Sequence, residues 1–194
     1  MGIHKKLLIV LVLFATSTLF AKVLDPAAPF GSRKNPVPVR TTIGAVVNEN
    51  GIDVANVELR VNGVMRGVLA DMFILALQVA TDANIPTITD KQKEYMIVVL
   101  SVESLEDLTG KDLSFYVGHD EVMIANENYV ARTPKRIAHI QDELEGYLHE
   151  GSIHAGFLLY EVNVNEEYYL LYQNKWFDLG TKTDEETMNS IMGN

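Results

Sequence analysis

The sequence predicts a mainly β protein, an antiparallel sandwich with one helical excursion over residues 68–84, and three observations carry that expectation. Short runs of β-branched and aromatic residues recur between clusters of Gly, Asn, Asp and Glu. Only one segment holds a sustained helical period, and one run, Tyr95 to Val102, is apolar at nearly every position. At 194 residues the chain is the length of one ordinary domain, large enough to bury a single core without covalent staples.

Two lysines in Met1 to Lys6 precede an unbroken apolar run, Leu7 to Phe14, and the small residues Ala15-Thr16-Ser17 follow. This order is that of a secretory signal peptide over residues 1–21, with cleavage expected after Ser17 or Ala21. The apolar stretch is shorter than the roughly 20 residues that a membrane-spanning helix needs. Lys22 to Pro38 then holds four of the chain's six prolines, so residues 22–36 read as an extended tether leading into a domain over residues 37–179.

Within that domain a first strand is expected from Val37. Val54 to Val61 alternates, with Ala55, Val57, Leu59 and Val61 on one side, and Asn62-Gly63 is expected to close the strand as a turn. Val68 to Asn84 places Leu69, Met72, Phe73, Ala76, Leu77 and Ala80 at helical spacing, with Pro86 beyond its end. Tyr95 to Val102 suits a central strand covered on both faces. Further strands are expected at Leu113–Val117, Glu121–Ile124, Leu144–Leu148, Ile153–Val162, Glu167–Tyr172 and Trp176–Leu179. Pro134 to His149 fits helical and alternating spacing equally, and residues 180–194, with a possible capping box from Thr183 to Glu186, read as a flexible acidic tail.

Four landmarks recur together: Gly31-Ser32-Arg33-Lys34-Asn35-Pro36-Val37-Pro38 opening the domain, Arg66-Gly67-Val68-Leu69-Ala70 ahead of the helix, Lys93-Glu94-Tyr95 entering the central strand, and Glu150-Gly151 before Phe157. With Trp176-Phe177 after Tyr172, the chain resembles bacterial secreted proteins and lipoproteins of unknown function that carry an immunoglobulin-like domain. The resemblance implies an immunoglobulin-like β-sandwich and brings no catalytic residues. Two departures stand out. A lipobox cysteine is missing, which implies a freely secreted or periplasmic form, and Arg40 sits where relatives often have glycine.

Composition narrows the function classes. The net charge is −10, and the leader holds Lys5 and Lys6 but no acid, so the remainder is more acidic still. Nucleic-acid binding, which needs clustered Lys and Arg, is not expected. The absence of cysteine removes disulfides, thiolate metal sites and cysteine nucleophiles. His149, Glu150 and His154 form the closest metal-like grouping and His119, Asp120 and Glu121 the next, but residues five apart on a strand point to opposite faces. No metal site or cofactor is expected. Acidic groups such as Glu103 to Asp107 lack the spacing of a calcium loop. No Gly-x-Ser-x-Gly elbow occurs, so no catalytic residue is assigned and the chain is not expected to be an enzyme.

The conspicuous feature is aromatic: Tyr168, Tyr169, Tyr172, Trp176 and Phe177. Alternation sends Tyr168 and Tyr172 to one face of a strand and Tyr169 to the other, so both faces carry large aromatics: core packing accounts for one and an exposed aromatic strip is expected on the other, with Tyr169, Tyr172 and Trp176 as the candidate binding residues. For Trp176 the favoured reading is a core plug that pins the closing strand, because Asp178-Leu179 continues an apolar and polar alternation, and the exposed binding anchor is the alternative. The expected function is a secreted or cell-envelope, non-enzymatic interaction module whose partner is a protein or envelope component. The alternative is an extracytoplasmic carrier of a small ligand or cation.

Overall fold

A computed structural model describes residues 25–49, 52–81, 83–105, 122–132, 151–172, 174–183 and 189. In chain order its elements are β1 (Thr42–Glu49), β2 (Ile52–Arg66), α1 (Val68–Thr81), β3 (Lys93–Ser104), β4 (Val122–Asn126), β5 (Ala131–Arg132), β6 (Ile153–Asn163), β7 (Tyr168–Tyr172) and β8 (Lys175–Gly180). They form two four-stranded antiparallel sheets, β1-β2-β3-β6 and β5-β4-β7-β8. The mainly β sandwich expected from the sequence is therefore the observed architecture. The expected strands at 113–117 and 144–148, the ambiguous segment 134–149 and the leader lie outside the described residues.

Side-chain alternation explains how the sheets stack. Val57, Leu59 and Val61 of β2, Met96, Val98, Leu100 and Val102 of β3, and Leu158, Tyr160 and Val162 of β6 share one core with Val122 and Ile124 of β4, Tyr168, Leu170 and Tyr172 of β7, and Phe177 and Leu179 of β8. The alternate residues of the first sheet, Met65, Tyr95, Ile97 and Leu159, face the other way and meet Ala70 and Ile74 of α1. Strand β3 is thus covered by a sheet on one side and a helix on the other, which is why its run lacks a polar stripe.

The expected turn at Asn62-Gly63 is a β-bulge. Val61 pairs with Leu100 and Gly63 with Val99, and β2 continues to Arg66. An extra residue shifts register without ending the strand, and it swaps the faces, so Val64 enters the inter-sheet core and Met65 the helix-side core. The helix buries Ala70 and Ile74 with Phe73 and Leu77 partly covered, while Met72, Ala76 and Ala80, expected on its inner face, are exposed. Gly67, at φ 57°, makes the strand-to-helix turn in a conformation that a side chain would strain.

The end of the segment expected to be a tether is bonded to β8, where the Trp176 amide donates to the Gly31 carbonyl at 2.8 Å. The first strand starts at Thr42, and Val37 forms a parallel bridge to Phe177 instead. The Val37 amide donates to the Trp176 carbonyl at 2.8 Å, and the Asp178 amide donates to Val37 at 2.9 Å. Arg40 stands at φ 68° with its amide donating to the Val61 carbonyl, the left-handed conformation in which glycine costs least. At the other end, the Thr183 hydroxyl accepts from the Arg66 amide at 2.9 Å and donates to the Arg66 carbonyl at 3.1 Å. The start of the expected tail is thereby fastened to β2.

Candidate functional site

The β7–β8 register decides which aromatics reach the surface. Leu170 pairs with Phe177 and Leu171 with Trp176, so Phe177 points inward with Leu170, and Trp176 points outward with Leu171. Phe177 is fully buried and Trp176 is half-buried. The core-plug role expected of Trp176 therefore belongs to its neighbour Phe177. Tyr172 is 1% exposed inside the inter-sheet core. It is withdrawn from the binding strip on which the sequence placed it, because it sits an even number of residues from inward Tyr168 and Leu170.

Tyr169 and Trp176 do come together on the outer side of the second sheet, but Tyr169 is 4% exposed there and offers a partner hardly more surface than Tyr172, so of the three expected residues only Trp176 reaches solvent. The Tyr169 and Trp176 rings meet edge to face at 5.8 Å, and the Tyr169 hydroxyl donates to Glu167 Oε2 at 3.1 Å. Two residues that the sequence reading missed complete the group. Tyr129 also meets Trp176 edge to face, at 5.8 Å and 90°, and the Arg33 guanidinium lies 4.1 Å from the Tyr129 ring and 5.9 Å from that of Trp176. An arginine over aromatic faces gains from the ring quadrupoles while keeping polar edges for a partner.

Local structure sets both newcomers. Asn126 Oδ1 accepts from the amides of Asn128 and Val130 at 3.1 and 2.9 Å, and the Tyr129 amide donates to the Asn126 carbonyl. This side-chain-capped turn between β4 and β5 holds Tyr129 at φ 60° and leaves it 63% exposed. Arg33 stands in a turn closed by the Asn35 amide on Ser32 and the Asn35 side chain on Ala28, and its Nη2 donates to the Glu127 carbonyl. Gly31, at φ 81°, starts that turn, and a Cβ there would come within 3.0 Å of Lys175 Cδ. Arg33, Lys34 and Lys175 gather at this corner with Asp25, Glu127 and Glu167 close by, so it carries both signs of charge. Arg33 lay in the landmark segment 31–38, a visible signal, whereas Tyr129 sits in an aperiodic turn that offered none.

A second polar cluster closes the Arg66 end of β2. Arg66, 4% exposed, donates from Nε to Glu94 Oε1 at 2.8 Å, from Nη1 to the carbonyls of Glu166 and Gly180, and from Nη2 to that of Asn163. Its Nη2 also lies 2.7 Å from Glu94 Oε1. Glu166 in turn accepts from Asn126 Nδ2 at 2.6 Å, Asn163 Nδ2 at 2.8 Å and the Tyr168 hydroxyl at 2.5 Å. Burial pushes the Glu166 carboxyl up, but these hydrogen bonds and the Arg132 charge outweigh it and hold the group below its usual range. Burial, with the bond to Glu166, pushes the Tyr168 phenol up. A cleft of about 420 Å³ opens beside Arg66. Its guanidinium donors are engaged by protein acceptors, which makes the cluster an internal clamp.

Among the described residues no three His, Cys, Asp or Glu side chains come together to hold a metal ion, and no helix is long and apolar enough to cross a membrane. His154 stands on β6 opposite Val102; His119, His149 and Glu150 lie outside the described residues. Comparison with known proteins finds no matching family model, no similar curated protein and no similar solved structure.

Proposed function

We propose that the chain is an extracytoplasmic, non-enzymatic interaction module, in which an immunoglobulin-like sandwich presents the Arg33, Tyr129 and Trp176 face to a protein or envelope partner. The observation that carries this reading is the stacked arginine and exposed tyrosine beside a half-buried tryptophan. Tyr, Trp and Arg are the residues enriched where binding energy concentrates, and here a rigid sheet and a capped turn fix them in advance.

Topology supports the immunoglobulin-like part. Three strands, β2-β3-β6, face four, β5-β4-β7-β8, and the chain changes sheet after β3, β5 and β6. The leading segment at Val37 pairs parallel with the last strand. Strand β1 is then an added edge strand and α1 an insertion between the first two strands of the sandwich. The N-terminal pattern of lysines, apolar run and small residues supports export.

The test is capture from the extracytoplasmic extract of the native cell by the immobilised wild type, beside Tyr129→Ala and Arg33→Ala chains of matched thermal midpoint. A component retained by the wild type and lost by both variants supports the module. Equal retention by all three removes this face as the binding surface. A midpoint raised by calcium, zinc or copper and lowered by chelator favours the carrier reading instead.

A further inference from the structure

The outward side of α1 is as apolar as its inward side. Val68, Met72, Leu75 and Val79 are 75, 61, 63 and 79% exposed, with Ala76 and Ala80 exposed beside them. Their spacing of four, three and four residues is that of a two-helix seam, so all four lie on one stripe. The helix carries a single charge, Asp71. Gln78, the other polar residue near the stripe, is turned back to the Ile85 carbonyl at 3.0 Å. Monomeric proteins seldom leave such a stripe uncovered.

The geometry points to a second copy of this chain as the occupant, its α1 lying antiparallel across this one about a two-fold axis between Met72 and Leu75. The four-three-four spacing is symmetric about its own midpoint. Reversal therefore sets Val68 of one copy against Val79 of the other, and Met72 against Leu75, so each side chain meets one of similar size. Asp71 falls opposite Ala76 rather than opposite another Asp71. An isologous contact needs this kind of self-complementarity. A heterologous partner for a seam flanked by so little charge would need none of it.

Area sets the strength. One 14-residue helix face offers a few hundred Å² of apolar surface per copy, below the roughly 800 Å² per partner of a standard interface. The dimer is accordingly weak and concentration-dependent. Two chains of net charge −10 also repel each other, so screening by salt should tighten the pair. The helix that bears the seam lies on the outer face of the first sheet, and the Arg33, Tyr129 and Trp176 face belongs to the outer face of the second. Pairing through α1 therefore leaves two copies of that face free, giving a bivalent module.

Sedimentation velocity on the purified protein, from micromolar to near-millimolar, should show a monomer moving toward dimer as concentration and salt rise. Leu75→Glu should weaken the association by about tenfold or more, with the thermal midpoint of the dilute protein unchanged because Leu75 is exposed. Met72→Gln serves as the second variant if Leu75→Glu lowers that midpoint. The chain has no cysteine, so introduced thiols report orientation cleanly. A mixture of Val68→Cys and Val79→Cys chains should form the mixed disulfide, and Val68→Cys alone should not cross-link. A monomer at every concentration, or a dimer indifferent to both seam variants, would overturn the proposal; so would Val68-to-Val68 cross-linking, the mark of parallel helices.

Discussion

Arg66 and Glu94 form a nearly dry ion pair across the neighbouring ends of β2 and β3, with 2% and 16% of their side chains exposed. The same guanidinium also gathers the carbonyls of Asn163, Glu166 and Gly180. One side chain thus fastens β2 to the start of β3, the β6–β7 connection and the end of β8. Removing one partner of such a group leaves buried acceptors unpaired, so Arg66→Ala should cost about 3–5 kcal/mol. Arg66→Lys should recover little, because an ammonium lacks the planar fork that reaches acceptors on several sides. Urea denaturation of the two variants checks this; near-complete rescue by lysine would mean that charge alone matters there.

Glu166 gives the fold an acid-sensitive bond set. Its folded pKa lies below the ordinary value, so the folded state binds the proton more weakly than the unfolded chain does. Its contribution is therefore present in full above about pH 4–5 and is lost as pH falls through the depressed folded value. Glu166→Gln presents one acceptor oxygen where two served three donors, and because the carboxylate is only partly buried the cost near neutrality should be about 0.5–1.5 kcal/mol. The gap between wild type and variant should narrow as denaturation is repeated toward pH 3. A gap of constant size would show that hydrogen-bond shape, not the carboxylate charge, governs the site.

Arg40 occupies a conformation that suits glycine, at φ 68°. Left-handed backbone costs a side-chain-bearing residue roughly 1–2 kcal/mol, and the extra freedom of glycine in the unfolded chain returns about 0.5–1 kcal/mol of that. Arg40→Gly should thus be neutral or stabilising by up to about 1 kcal/mol, read as a small rise in thermal midpoint. A clear fall would show that the arginine side chain contributes more than its backbone strain removes.

These cases mark what a sequence can show. The alternation of Val57, Leu59 and Val61 and the nearly continuous apolar run of β3 were legible because burial on one face or two leaves a direct imprint. The helix was legible as a helix, but not its inner face, since apolar residues surround nearly the whole of it. Asn62-Gly63 has turn chemistry, yet only the pairing of both flanking segments with β3 shows it to be a bulge. Arg66 looked like any polar residue ahead of a helix, because its acceptors lie 28 to 114 positions away. The aromatic strip was half legible: the β7 alternation isolated Tyr169 from Tyr172, but the one-residue offset that sends Phe177 inward and Trp176 outward is a matter of register.

That offset makes a last prediction. Phe177 is fully buried among residues of both sheets, so Phe177→Ala should cost about 3–5 kcal/mol, as truncation of a core aromatic does. Truncating half-buried Trp176 removes edge-to-face contacts with Tyr129 and Tyr169 and the Arg33 interaction, and Trp176→Ala should cost about 1–2 kcal/mol. As the single tryptophan, Trp176 also reports its own surroundings. Its emission should lie to the red of a core tryptophan and be partly accessible to a soluble quencher, and Tyr129→Ala should raise that access by uncovering one edge of the ring. Blue-shifted, protected emission together with equal costs for the two truncations would place Trp176 back in the core and remove it from the binding face.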